Sequence, residues 1–149
     1  MYFQRINETN DQINKMFIDY CIRSKPYDFC HMSSRYMTTI KIKEYMEFLF
    51  RTCEVYLGIL GSQIKLFVAV SKQGDRVNVE FIFGNPFGFM KNFAHFRDFY
   101  KDVNQEIRTF EAQIKRKYKL GAFLKFIQAK DSKMKIVLDK QEIAVLWNT

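Results

Sequence analysis

The sequence predicts a single α+β domain: a mixed, mostly antiparallel sheet flanked by helices. Three observations predict it. Two stretches before residue 52 carry apolar residues at helical spacing. Three runs after it change to the strand period and are joined by two tight glycine turns. The C-terminal end reads as a hairpin. The chain has 149 residues, enough for one domain and for a core that needs no staples. Its 48% hydrophobic and 17% aromatic content excludes a disordered chain. Six Gly and two Pro exclude collagen and linker sequence.

Met1 to Ile6 is apolar-rich and reads as a first strand. Thr9 and Gln12 have capping-box spacing. Ile13, Met16, Phe17, Tyr20 and Cys21 then predict a helix over 10–23, ended by Ser24, Lys25 and Pro26. Residues 27–38 read as an aromatic and polar connection. Ile42, Tyr45, Met46 and Leu49 predict a second helix over about 40–51.

Glu54–Leu60, Ile64–Val70 and Val77–Phe83 read as strands, with turns at Gly61-Ser62 and Gln73-Gly74-Asp75. Two tight turns joining three strands predict an antiparallel meander. In the third strand Val77, Val79, Phe81 and Phe83 alternate with Asn78, Glu80 and Ile82. Gly84-Asn85-Pro86-Phe87-Gly88 breaks the sheet, and a helix follows with Phe93, Phe96, Tyr100 and Val103 on one face.

Two readings of the next segment stand. Ile107, Phe110 and Ile114 continue the helical spacing without a Gly or Pro. Alternatively the helix stops near Asn104 and Arg108–Ile114 is a strand with Phe110, Ala112 and Ile114 inward. Leu120, Phe123, Leu124 and Ile127 then form a last short helix. Met134–Leu138 and Ile143–Trp147 are strands joined through Asp139–Glu142.

No apolar run reaches the roughly 18 residues a membrane helix needs. The start, MYFQRINETND, lacks the basic and apolar regions of a secretory signal, so a cytoplasmic protein is expected. Cys21, Cys30 and Cys53 make a poor disulfide framework, and with only His31 and His95 no zinc spacing appears. The net charge is +8. Residues 91–135 hold 12 Lys and Arg against 5 Asp and Glu, so a basic surface there is expected to meet an anionic ligand or protein partner. Nucleic acid is the weaker alternative, because no helix-turn-helix, zinc or RNP-like pattern accompanies the charge.

With the strand reading of 108–114, the order is strand, two helices, three strands, helix, strand, helix, two strands. This order resembles the GNAT (GCN5-related N-acetyltransferase) family over nearly the whole chain. VEFIFGNPFGFMKNF, residues 79–93, looks like that family's fourth strand running into its cofactor loop and third helix. GAFLKFIQA, residues 121–129, is similar to its last helix. The chain also resembles small GNAT-like proteins of tailed phages.

The resemblance implies binding of acyl-CoA, with acetyl-CoA as the donor, and transfer of the acyl group to an amine. It implies that the third and following strands splay apart, and that the cofactor's pantetheine arm enters the gap. Phe83 and Gly84 would be strand-end contacts, with Gly88, Phe89, Met90 and Lys91 around the pyrophosphate at the helix start. Glu80 matches the position of the family's glutamate base. The family's tyrosine acid aligns with Leu124, which leaves Tyr118 as the substitute. The family loop reads Q/R-x-x-G-x-G/A, whereas this chain has GNPFGFM, with Lys91 the nearest basic residue. Lys115, Arg116, Lys117 and Lys119 would oppose the last helix's dipole unless an anion, such as the cofactor's ribose phosphate, docks beside them. Three classes of function follow. The first is an acyl-CoA-dependent N-acyltransferase with a reduced site. The second is a noncatalytic phage-type structural or interaction protein, and the third a basic nucleic-acid-binding module.

Overall fold

The computed structural model of the chain describes residues 1–23, 39–84, 89–115, 128, 133–138 and 142–148. Its elements in order are β1 (Tyr2–Ile6), α1 (Asp11–Arg23), α2 (Thr39–Thr52), β2 (Glu54–Leu60), β3 (Gln63–Gln73), β4 (Arg76–Gly84), α3 (Phe89–Val103), β5 (Thr109–Lys115), β6 (Met134–Leu138) and β7 (Glu142–Asn148). The strands form one sheet in the order β1-β2-β3-β4-β5-β7-β6. Every neighbouring pair is antiparallel except β4 and β5, which run parallel. The connection 27–38 and the last helix expected over 120–127 lie outside the described residues.

The helix starts follow local chemistry. Asn10 caps α1: its Oδ1 accepts from the Ile13 N–H at 2.9 Å, and its carbonyl accepts from Asn14 N–H at 2.9 Å. The expected capping box at Thr9 and Gln12 is therefore off by one residue. Thr9 instead donates its hydroxyl to Asn14 Oδ1 at 3.0 Å.

Both hairpin turns place glycine at the first central position with positive φ, 63° at Gly61 and 62° at Gly74. Leu60 then pairs with Gln63 and Gln73 with Arg76, as two-residue turns of this kind require. The expected meander is present, and β3 runs three residues beyond the predicted Val70 to keep its partner β4.

The helix-or-strand ambiguity resolves to a strand. α3 ends at Val103, where Asn104 donates both its N–H and its side-chain amide to the Tyr100 carbonyl. Val103, expected inward, is 61% exposed. The helix has run past the sheet there, and the fully buried Ile107 fills the corner instead.

Two cores cover the two faces of the sheet. On one face α3 lays Phe93, Phe96 and Tyr100 over Val68, Val70, Val77, Val79, Phe110 and Trp147. On the other, α1 and α2 lay Ile13, Phe17, Ile42, Met46 and Leu49 over Val55, Leu57, Phe67, Ala69 and Phe81. The Phe17 ring centroid sits 4.8 Å from that of Phe81 and 5.4 Å from that of Phe67. Truncating such a buried ring costs about 3–5 kcal/mol. Among the described residues no helix is long and apolar enough to cross a membrane.

Candidate functional site

The sheet opens between β4 and β5. Their parallel ladder holds for three pairs, Arg76 with Thr109, Val77 with Phe110 and Asn78 with Glu111. From Val79 to Gly84, β4 has no ladder partner on that side among the described residues. β5 meanwhile continues to Lys115 against β7 alone. β3 and β4 stay paired from Leu66–Gly84 to Gln73–Arg76, so the splay lies after the fourth strand rather than after the third. An edge of backbone N–H and C=O groups therefore faces the gap, and such groups seek partners.

A β-bulge sits at the apex of this gap. Ala69 pairs with Phe81 and Val70 with Val79, which makes Glu80 the extra residue. A bulge bends its strand and strengthens the local twist. It also reverses the expected alternation. Val79 faces the α3 core while Phe81 faces the α1–α2 core, although strand periodicity had put both on one face.

Glu80 itself is half-buried, and its Oε1 accepts a hydrogen bond from the Asn78 side-chain amide. Burial pushes the Cys53 thiol pKa up, the Thr52 hydroxyl opposes the shift, and the negative charge of Glu80 adds to it. Val77 and Val79 face the α3 core, so Asn78 between them faces the α1–α2 side, and Glu80, bonded to its side chain, stands on that side too. Tyr45 of α2 packs on Phe81, with ring centroids 5.8 Å apart, and on the exposed Phe48 at 6.1 Å.

The described residues among the cofactor-binding set expected from sequence lie at the end of β4 and the start of α3. Phe83 and Gly84 are the last two residues of β4, paired with Phe67 and Leu66. Phe89, Met90 and Lys91 form the first turn of α3, and Lys91 is exposed. The first N–H groups of a helix have no intrahelical acceptor and carry partial positive charge. α3 has no acidic residue in its first turn to meet them. Gly88 and Tyr118 lie outside the described residues, as do Arg116, Lys117 and Lys119.

Sequence reasoning missed a carboxylate clamp on the opposite face. Glu54 accepts hydrogen bonds from the Tyr100 hydroxyl at 2.7 Å and the Tyr56 hydroxyl at 3.0 Å, and pairs with Arg5 at 3.4 Å. Burial first, then Glu54, pushes the Tyr56 pKa up to about 12 and raises that of Tyr100 as well. These tyrosines hold β1, β2 and α3 together and stay protonated. Arg97 was also unforeseen: it is buried, with its guanidinium 5.5 Å from the Phe93 ring centroid and 5.8 Å from that of Trp147.

One hollow lies beside the gap and another away from it. One of about 250 Å³ is lined by Gln73, Arg76, Val77, Asn78 and Glu111, at the closed end of the β4–β5 ladder. A larger one, about 450 Å³, lies over α1 and α2 between Thr9, Asn14, Met46 and Phe50, away from the gap. The smaller hollow shares Asn78 with the apex and so bears on Glu80. Among the described residues no group of three His, Cys, Asp or Glu could hold a metal ion.

No family model matches the chain, and no curated protein matches it by sequence. Solved structures do. The chain is similar to the Campylobacter jejuni N-acetyltransferase PseH in complex with acetyl coenzyme A, with TM-score 0.67 and 11% identity over 99% of this chain and 98% of that one. It is similar to a GNAT-family acetyltransferase of Streptococcus pneumoniae, with TM-score 0.56 and 9% identity over 99% of this chain and 100% of that one. It is also similar to the Thermoplasma acidophilum PaiA N-acetyltransferase in complex with coenzyme A, with TM-score 0.57 and 8% identity over the full length of both. The fold is that of the GNAT acetyltransferases.

Proposed function

We propose that the chain is an acyl-CoA-dependent N-acyltransferase, with acetyl-CoA as the donor. The carrying observation is the β4–β5 ladder that stops after Asn78–Glu111, with Glu80 on a bulge at the apex. The residues present fit the donor in two respects. The open edge of β4 from Val79 to Gly84 offers backbone groups to an amide-bearing arm, and the first turn of α3 offers N–H groups and Lys91 to phosphates. Two structures of the same fold, PseH and PaiA, hold acetyl coenzyme A and coenzyme A.

The donor supplies an activated acyl thioester. Glu80 takes a proton from the ammonium of the acceptor, which frees the nitrogen lone pair. The nitrogen would then bond to the acyl carbon as the carbon–sulfur bond breaks, and the second N–H proton, lost as the amide forms, would end on the leaving thiolate. Asn78 holds Glu80 in place through its amide N–H. Tyr118 is the residue to test as proton donor to the leaving thiolate.

Acetyl-CoA at millimolar concentration is expected to raise the melting temperature of the wild type, since a ligand of the folded state alone stabilises it. Gly88→Asp adds a negative charge to the expected cofactor loop and is expected to abolish the shift. Absence of any shift in the wild type overturns the reading and leaves the noncatalytic role. A Tyr118→Phe variant with unchanged kcat removes Tyr118 from the chemistry.

A further inference from the structure

On the sheet face under α1 and α2, the apolar cover stops at Ala69 and Phe81. Beyond it the same face turns polar. Ser71, Asn78 and Glu111 stand in one row across β3, β4 and β5, and Gln73 and Arg76 stand in another. Gln73, Arg76, Asn78 and Glu111 line the hollow of about 250 Å³.

Glu111 is half-buried, and among the described residues no hydrogen bond or ion pair holds its carboxylate. The exposed Arg76 guanidinium is likewise free of an ion pair among them, although it lines the same hollow. Asn78 spends an amide N–H on Glu80 and leaves its carbonyl oxygen to accept from a ligand. The hollow thus has an acceptor-rich end next to Glu80 and a cationic end at Arg76. Arg76 and Asn78 are two residues apart on one strand, a rise of about 6.6 Å.

We propose that this hollow holds the acceptor of the transfer reaction and that the acceptor is a zwitterion. Its primary ammonium lies between Glu80 and Glu111, and its anionic group, a carboxylate or phosphate, lies on Arg76 and Gln73. This rests on the acyltransferase reading and narrows it to a substrate class. A diamine would set its second ammonium against Arg76. A simple monoamine would leave the guanidinium unmatched. A zwitterion of about 7 Å satisfies both ends. Glu111 acts as a binding residue that holds the ammonium until Glu80 takes its proton.

The test compares four amines of similar length with acetyl-CoA: 6-aminohexanoate, 6-aminohexyl phosphate, hexylamine and 1,6-diaminohexane. Free thiol release is the readout, beside calorimetric binding of 6-aminohexanoate to the protein alone. The two zwitterions are expected to show kcat/KM at least about tenfold above the other two, the size of one charge-assisted contact. Their ratio to each other tells carboxylate from phosphate. Arg76→Gln is expected to erase the preference through KM, and Arg76→Lys to restore part of it. Glu111→Gln is expected to raise KM for every amine.

Equal kcat/KM for all four amines overturns the proposal, as does a preference that survives Arg76→Gln. If acetyl-CoA causes no thermal shift and no amine releases thiol, the acyltransferase reading falls by itself, and calorimetry then decides the hollow. Binding of 6-aminohexanoate that Arg76→Gln abolishes keeps the zwitterion site, and no binding overturns it. Unchanged melting temperatures of the variants establish that each loss is local.

Discussion

At the scale of single residues, two glutamates on opposite faces of the sheet have different work. Glu80 stands on a bulge at an open gap, and Glu54 is clamped by two tyrosines and an arginine. Glu80→Gln keeps the Asn78 contact and removes the proposed base. It is expected to lower kcat by about 10²–10⁴-fold in acetyl-transfer assays while the acetyl-CoA thermal shift persists. Loss of the shift instead would give Glu80 a structural role.

Glu54→Leu leaves the buried Tyr100 hydroxyl without its acceptor, and chemical denaturation is expected to show a loss of about 1–3 kcal/mol. The clamp also sets an alkaline limit. Tyr56 and Tyr100 ionise at higher pH in the folded chain than in the unfolded one. Stability is therefore whole below the ordinary tyrosine pKa near 10 and falls as pH rises toward 12. Melting curves across that window check it, and Glu54→Gln is expected to flatten the dependence. Glu80 was legible as a candidate only through the resemblance, which matches it to the family's glutamate base. Its bulge was not, since register belongs to the pairing with β3. The clamp was illegible because Tyr100 and Glu54 are 46 residues apart.

At the scale of elements, periodicity placed the described strands and helices other than β5, and their ends moved where a partner or cap decided. Gly58 shows what periodicity cannot see. A Cβ there would stand 3.0 Å from Leu66 Cβ and 3.0 Å from Phe3 Cε1, where β1, β2 and β3 press together. Gly58→Val is expected to lower the unfolding midpoint in urea, with overpacking worth about 1–3 kcal/mol. An unchanged midpoint would mean that Phe3 and Met1 give way freely. The helix-or-strand ambiguity after Val103 had a similar root. Phe110 suits both periods, and its pairing with Val77 on one side and Trp147 on the other selects the strand.

At the scale of the whole molecule, the net charge of +8 bears on how the proposed donor would be held. Replacing Lys115, Arg116, Lys117 and Lys119 together by Ser is expected to reduce the thermal shift with CoA more than the shift with dephospho-CoA. Equal losses would assign these cations to nonspecific attraction. The order of elements was readable from sequence, but the place where the sheet opens was not, because it depends on how few pairs join β4 to β5. That narrow junction has a further consequence for how the molecule breathes. Three parallel pairs, with the bonds from Arg108 and Thr109 N–H to the Asp75 carbonyl, are the ladder that ties β1–β4 to β5–β7–β6. Amide hydrogen exchange is therefore expected to be uneven. The amides joining β2 to β3 and β3 to β4 should exchange only by global unfolding, while those of Thr109–Glu111 should exchange by a lower-energy opening of the C-terminal strands as a unit. Uniform protection across the sheet would show instead that α3, laid over both halves, locks them into one cooperative body.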